Sequence, residues 1–313
     1  MSNIDLRVKL GDIELKNPVV TASGTFTYQD SGSFYDVEAL GAVTTKGVAP
    51  IPWDGNSTPR IAESYGGMLN SVGLQNPGID AFIAGELAMI EGREVKVIVN
   101  VVGTSIRDYV GVVERLEHTK ADILEINISC PNVDKGGMSF GVDPKMAAAI
   151  TRAVRQATTK PIFVKLTPNV TDITEVAKAV EYEGADGISM INTLLGMKID
   201  VWKKKPVLAK VMGGLSGPCI MPIAVRMVYQ VSGAVKIPII GGGGIATGID
   251  AVEFIMAGAK AVSVGTAALI NPTAPIDILN ELKTFMKEEG YNSIEEIHQG
   301  FATERERGYG RKV

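Results

Sequence analysis

Eight short apolar runs, each closing on small or polar residues, recur along almost the whole chain and constrain its fold more than any other feature. They are NPVVTASG from Asn17, AVTTKGV from Ala42, VKVIVNVVG from Val95 and ILEINISC from Ile123, then PIFVKLT from Pro161, GISMINT from Gly187, IPIIGGGG from Ile237 and AVSVGTAAL from Ala261. Apolar runs without polar alternation are the pattern of strands buried on both faces, as in a parallel sheet covered by helices. Helical patterns lie between several of them. In TDITEVAKAVEYEGADG, Asp172 and Glu175 have capping-box spacing, Ile173, Val176, Ala177 and Val180 share a face, and Gly184 supplies a left-handed stop. TGIDAVEFIMAGAKA ends in the same way at Gly258. The alternation predicts an α/β fold, a (β/α)8 TIM barrel forming a single domain over 1–313. Its spacing is uneven at residues 49–94, after the second strand, and 194–218, after the sixth. Both are insertions after strand C-terminal ends, where this architecture builds its active-site loops, and IDVWKKKPVL in the second reads as a small hairpin.

Charge and cysteine content narrow the function. Lys+Arg 31 against Asp+Glu 35 leaves a net charge of −4, the opposite of the basic balance of a nucleic-acid binder. No apolar run approaches the ~20 residues of a membrane helix, and the N-terminal stretch lacks the apolar core of a signal peptide, so a cytoplasmic protein is expected. Two cysteines, Cys130 and Cys219, cannot make a four-cysteine zinc site or a self-contained iron–sulfur cluster. Two histidines, His118 and His298, leave little material for a Ser/His/Asp triad or a His-rich metal centre, and no metal is expected.

In a barrel the C-terminal ends of all strands face one mouth. Here those ends carry Ser23, Lys46, Asn100, Asn127 with Cys130, Lys165, Asn192 with Thr193, the glycines 241–244, and Gly265 with Thr266. Any single polar residue marks only where a strand stops, but Lys46 and Lys165 in buried strands demand partners. The GGGG and GT ends match the place where barrels bind phosphate through backbone N–H groups and a short helix. GGGGIA also fits a weak dinucleotide fingerprint, yet the acidic residue due about twenty positions on is replaced by the end of VSVGT. Cys130, in NISCPN between Asn127 and Asn132, is a candidate acid–base group as well as a small buried hydrophobe. Cys219, heading the apolar stretch CIMPIAVRMV, reads as a packing residue.

GNSTPR, GMLNSVGLQNPG, NISCPN, INTLLGM, GGLSGP, GGGGI and VGTA occur together and in that order within the stretch from about Asn17 to Pro272. In this the chain resembles the dihydroorotate dehydrogenases. The cysteine in NISCPN resembles class 1 enzymes, since class 2 enzymes carry serine there and an N-terminal extension. NVDKGGMSFGVDP and INTLLGMKID resemble the class 1B catalytic subunit. NSVGL stands where NAIGL is common, and TFTYQDSGSFYD is less typical.

The resemblance implies one FMN at the barrel mouth. Its contacts would fall on Ser23, Lys46, Gly47, Asn100, Asn127 and Lys165 from the first five strand ends, and on Ile191, Gly217, Gly243, Gly244, Gly265 and Thr266 from the others. Dihydroorotate would be held by Lys46, opposite its carboxylate, by Asn127, and by the turn Asn70, Ser71, Val72, Gly73 and Leu74. Asn132, Asn192 and Thr193 would complete its site, and amides suit a pyrimidine ring because each offers donor and acceptor. Cys130 as thiolate would remove the C5 proton while the C6 hydride passes to flavin N5. Electrons would leave through a separate subunit carrying FAD and a [2Fe–2S] cluster, and thence to NAD⁺, in a heterotetramer built on a homodimer of this chain. Both the cysteine count and the absent dinucleotide fingerprint agree with that division of labour. Still open at this point are a fumarate-linked class 1A enzyme, another pyrimidine-reducing flavoprotein akin to part of dihydropyrimidine dehydrogenase, a Schiff-base aldolase using Lys165 or Lys46, and a non-catalytic flavin-binding scaffold.

Overall fold

The eight runs form the eight strands of a closed parallel barrel in a computed structural model that describes residues 4–129 and 140–306, the side chains of 302–306 excepted. The strands are β1 (Val19–Thr21), β2 (Ala42–Thr44), β3 (Lys96–Val101), β4 (Ile123–Asn127), β5 (Ile162–Lys165), β6 (Gly187–Met190), β7 (Ile239–Gly242) and β8 (Ala261–Val264). Each pairs in parallel with its neighbours in sequence, and β8 closes on β1 through Val262↔Val19, Ser263↔Val20 and Val264↔Thr21. Burial on both faces is what removed the polar alternation from the sequence: Val97, Ile98 and Val99 are all fully buried in β3. Packing inside is tight enough to dictate residue size. A Cβ on Gly187 would lie 2.1 Å from the Phe163 ring on the neighbouring strand, so glycine is what lets the ring fill the barrel there.

Among the described residues, the longer helices round the sheet include α1 (Ile106–Leu116), α2 (Pro144–Ala157), α3 (Ile173–Tyr182), α4 (Met221–Ser232), α5 (Gly248–Ala257), α6 (Ala274–Glu289) and α7 (Ile294–Glu306). The expected face of α3 is buried through Ile173, Val176, Ala177 and Val180, and Gly184 follows it in the left-handed region at φ +91°. Its start differs from expectation. Asp172 accepts from the Thr174 N–H and hydroxyl, both within reach of its short side chain, rather than making a reciprocal box with Glu175. The reciprocal box is on α5, between Thr247 and Asp250, and Gly258 ends that helix at φ +117°. Among the described residues no helix is long and apolar enough to cross a membrane.

The two insertions build one object. Ile61–Ser64 and Gly67–Asn70 from the first join Leu194–Met197 and Met212–Ser216 from the second in a four-stranded antiparallel sheet, with Gly67–Asn70 and Met212–Ser216 at its centre. Buried Ala62, Leu69 and Leu208 give this sheet a small core of its own. The small hairpin expected in IDVWKKKPVL is present as Ile199–Asp200 paired with Lys205–Pro206. A further hairpin, Val8–Leu10 with Ile13–Leu15, adds Leu10 and Leu15 to the main core and was not anticipated, because three-residue strands leave too short a pattern to read.

The first insertion returns to the barrel through a helix over 79–90 whose Ile83–Leu87 turn is π-helical. Glu86 sits in that turn with its Oε1 buried and without a hydrogen-bond partner. Burial first, and then Asp30, push its carboxyl up to about 7 against the pull of the Tyr28 N–H and the Lys46 ammonium. A carboxyl raised in the folded state stabilises the protein fully below its unfolded value, and that stability is lost as pH rises through the folded value. Urea unfolding of Glu86→Gln should therefore lack a loss of roughly 2 kcal/mol that the parent chain shows between about pH 5 and 8. Parallel pH profiles for the two proteins would show that Glu86 is ionised throughout.

Candidate active site

Every barrel strand delivers at least one residue to a single open cavity of about 290 Å³ at the C-terminal mouth. Ser23 and Gly24 come from the end of β1, Lys46 and Gly47 follow β2, and Asn100, Asn127 and Lys165 stand on β3, β4 and β5. Ile191, Asn192 and Thr193 follow β6, Gly243 and Gly244 follow β7, and Ser263, Gly265 and Thr266 come from β8 and its end. The insertion sheet forms the rest of the wall with Ile61, Met68, Asn70, Ser216 and Gly217. The turn that leaves it contributes Val72, Gly73 and Leu74, the last held at φ +54°.

A continuous hydrogen-bond chain crosses the floor. Lys165 Nζ donates to Ser23 Oγ at 2.8 Å and lies 3.2 Å from Glu125 Oε1, an ion pair with both side chains largely buried. Asn100 Nδ2 donates to the same Glu125 oxygen at 2.5 Å, and Asn127 Nδ2 donates to Asn100 Oδ1 at 3.3 Å. Asn127 Oδ1 accepts from the Ser129 hydroxyl at 2.8 Å, and that hydroxyl accepts from Asn192 Nδ2 at 2.7 Å. The buried Tyr109 hydroxyl donates to the Asn127 carbonyl from beneath. Each amide is thus held in one orientation, with its remaining hydrogen-bonding capacity turned to the cavity.

The glycine-rich ends divide the work. Gly242 has no room for a side chain, since a Cβ there would meet Ser263 Oγ at 2.1 Å, so its role is packing. Gly243 and Gly244 adopt φ +128° and +102° and turn along the cavity wall as bare backbone. After the neighbouring strand β8 the short helix Thr266–Ile270 begins, and Thr266 Oγ1 donates to Ser216 Oγ at 2.8 Å, tying the β8 end to the insertion sheet. Bare backbone beside a helix start is an anion-binding arrangement in barrels of this kind.

Of the positions expected at a cofactor or substrate, Ser71 is the one within the described residues that does not line the cavity. It is fully buried, its N–H donates to the Arg60 carbonyl and its own carbonyl accepts from Asn56, so the turn presents its neighbours instead. Cys130 and Asn132 lie outside the described residues. Cys219 is exposed, not a buried packing residue, because it falls in the turn before α4 and beside Gly66 and Gly67. Glu125 and Ser129 went unanticipated. The signal for Glu125 was an acid inside the apolar run ILEIN, and a buried acid requires a partner.

The dihydroorotate dehydrogenase family model matches residues 5–286. The catalytic subunit of dihydroorotate dehydrogenase B (NAD(+)) from Alkaliphilus metalliredigens is 55% identical over 298 residues, covering 95% of this chain and 99% of the relative. The subunit of the same name from Geobacter sulfurreducens is 52% identical over 299 residues, covering 95% of this chain and 98% of the relative. Among solved structures, dihydroorotate dehydrogenase from Eimeria tenella, in complex with ferulenol, superposes with a TM-score of 0.78 at 23% identity, covering 94% of this chain and 87% of that one, and supports the barrel fold. A match of this extent, spanning nearly all of this chain and nearly all of the relatives, settles the kinship: the chain belongs to the dihydroorotate dehydrogenase family.

Proposed function

We propose that the cavity binds FMN and dihydroorotate together, and that the chain oxidises dihydroorotate to orotate for pyrimidine biosynthesis as the catalytic subunit of a larger NAD⁺-linked enzyme. The observation that carries this reading is the hydrogen-bonded run of Ser23, Lys165, Asn100, Asn127 and Asn192 across the cavity floor. FMN is the cofactor that membership of the family implies, and the residues fit it. Bare backbone at Gly243, Gly244 and Gly265 beside the Thr266–Ile270 helix suits its phosphate, and the amides with Lys165 suit the polar edge of a flat heterocycle. Bound FMN supplies the acceptor for the hydride that leaves C6.

The chain supplies the rest. Lys46 offers an ammonium to the substrate carboxylate, and Asn127 and Asn192, locked by Ser129, offer amides to the ring N–H and C=O groups. Cys130, next in sequence to Ser129, takes the C5 proton as thiolate, so that loss of that proton and of the C6 hydride leaves the C5=C6 double bond of orotate. A thiol ordinarily titrates near ~8.5, so turnover rises towards alkaline pH. Lys165 Nζ is engaged by Glu125 and Ser23 in the floor, an arrangement that speaks against its use as a Schiff-base nucleophile. The electron outlet is a partner subunit carrying FAD and a [2Fe–2S] cluster, in a cytoplasmic heterotetramer, a division supported by the words "catalytic subunit" in the names of the relatives.

An anaerobic visible spectrum before and after dihydroorotate tests the whole reading: a flavin band that bleaches is expected, and a colourless chain that takes up no FMN would overturn it. Cys130→Ala should slow flavin reduction by roughly 10²–10⁴-fold while FMN stays bound, and stopped-flow reduction at a normal rate would remove Cys130 from the base role. Lys46→Ala should weaken orotate binding at least about tenfold, the loss of one charge-assisted contact, as read by titration of the flavin spectrum. Purification from the native source should bring down a flavin- and iron-bearing partner, and a chain that turns over with NAD⁺ alone would exclude it.

A further inference from the structure

Glu125 is the charged residue in the middle of β4, only 4% exposed, and it does not line the cavity although its partners do. Asn127 pairs with Lys165 at the level of the cavity, whereas Glu125 pairs with Phe163 one layer deeper in the barrel. From there its Oε1 meets Lys165 Nζ at 3.2 Å on one side and Asn100 Nδ2 at 2.5 Å on the other. A carboxylate costs several kcal/mol to bury, and for stability alone a barrel core is served at least as well by an apolar residue of similar size. The geometry points to a different use. We propose that Glu125 is a positioning residue that aims the Lys165 ammonium and the Asn100 amide from beneath and, by neutralising Lys165, holds down the reduction potential of the bound flavin.

Reduction adds negative charge to a flavin, and a cation in the cavity floor stabilises that product. With Glu125 in place the Lys165–Glu125 pair presents a dipole and no net charge, so the reduced cofactor is stabilised less and gives up its electrons more readily. Without that carboxylate, Lys165 presents a full positive charge in a site of low dielectric, where such a difference counts for more than in water.

The inference rests on the FMN reading above. Its test is the midpoint potential of FMN bound to the full chain, measured by anaerobic dye equilibration for the parent, Glu125→Gln and Glu125→Asp. Glutamine keeps an acceptor for Asn100 and Lys165 but removes the charge, and the ratio of affinities for reduced over oxidised FMN should rise at least tenfold, which is about 30 mV for a two-electron couple. Aspartate keeps the charge and should stay on the parent's potential. A glutamine variant with the parent's potential, or an aspartate variant shifted like the glutamine one, would overturn the proposal. Should Glu125→Gln fail to fold, Glu125→Met, an apolar residue of similar size, takes its place, the same rise supporting the role and a parental value overturning it. A parent chain that takes up no FMN overturns the cofactor reading and this inference together, whereas bound FMN with an indifferent Glu125 overturns this inference only.

Discussion

Closure of the parallel sheet is the constraint on which everything else depends. With β8 hydrogen-bonded to β1, no strand of the barrel presents an open edge, and all eight pair in parallel round the ring. All eight C-terminal ends then face one mouth, whatever lies in the loops. Residues as distant in sequence as Ser23 and Lys165 come within 2.8 Å of each other because their strands end on the same rim. The apolar layers beneath, such as Phe163 against Gly187, hold that rim rigid. Binding groups carried on strand ends inherit this rigidity, which loops alone would not give.

Within that frame, polar groups are spent sparingly and in contact. The floor carries a cation, a carboxylate, amides and hydroxyls, each hydrogen-bonded to the next, so that their orientation is fixed. The opposite wall is backbone, with Gly243 and Gly244 at positive φ. One side therefore offers an edge of donors and acceptors and the other bare backbone, the two surfaces that the proposed FMN would need for its ring and its phosphate.

Much of this was legible in the amino-acid sequence, for reasons that can be named. All eight strands were, because burial on both faces erases polar alternation, and Lys165 stood out as a charge in such a run. The pairing of the two insertions was not, because antiparallel register between distant segments leaves no local pattern in either. Glu125 was passed over for a related reason: its partners come from the two flanking strands, and only the barrel register brings Asn100 and Lys165 to it. Cys219 misled because its neighbours in sequence are apolar while its place is a surface turn. The role assigned to Cys130 comes from its motif alone.

The sheet built from both insertions bears on how the chain reaches its native state and how it can change over evolutionary time. Its central contact pairs Leu69 with Leu215, partners separated by nearly half the chain, which meet only when the barrel has already brought the second and sixth strands to one rim. Pairing at that separation carries a large loop-closure entropy, so the roof of the cavity depends on the ring beneath it. Each half is only a two-stranded ribbon by itself, joined to the other through the Gly67–Asn70 and Met212–Ser216 pairing, so lengthening or trimming one insertion strips backbone partners from the other. Loops that usually vary independently are here bound into a single inherited unit.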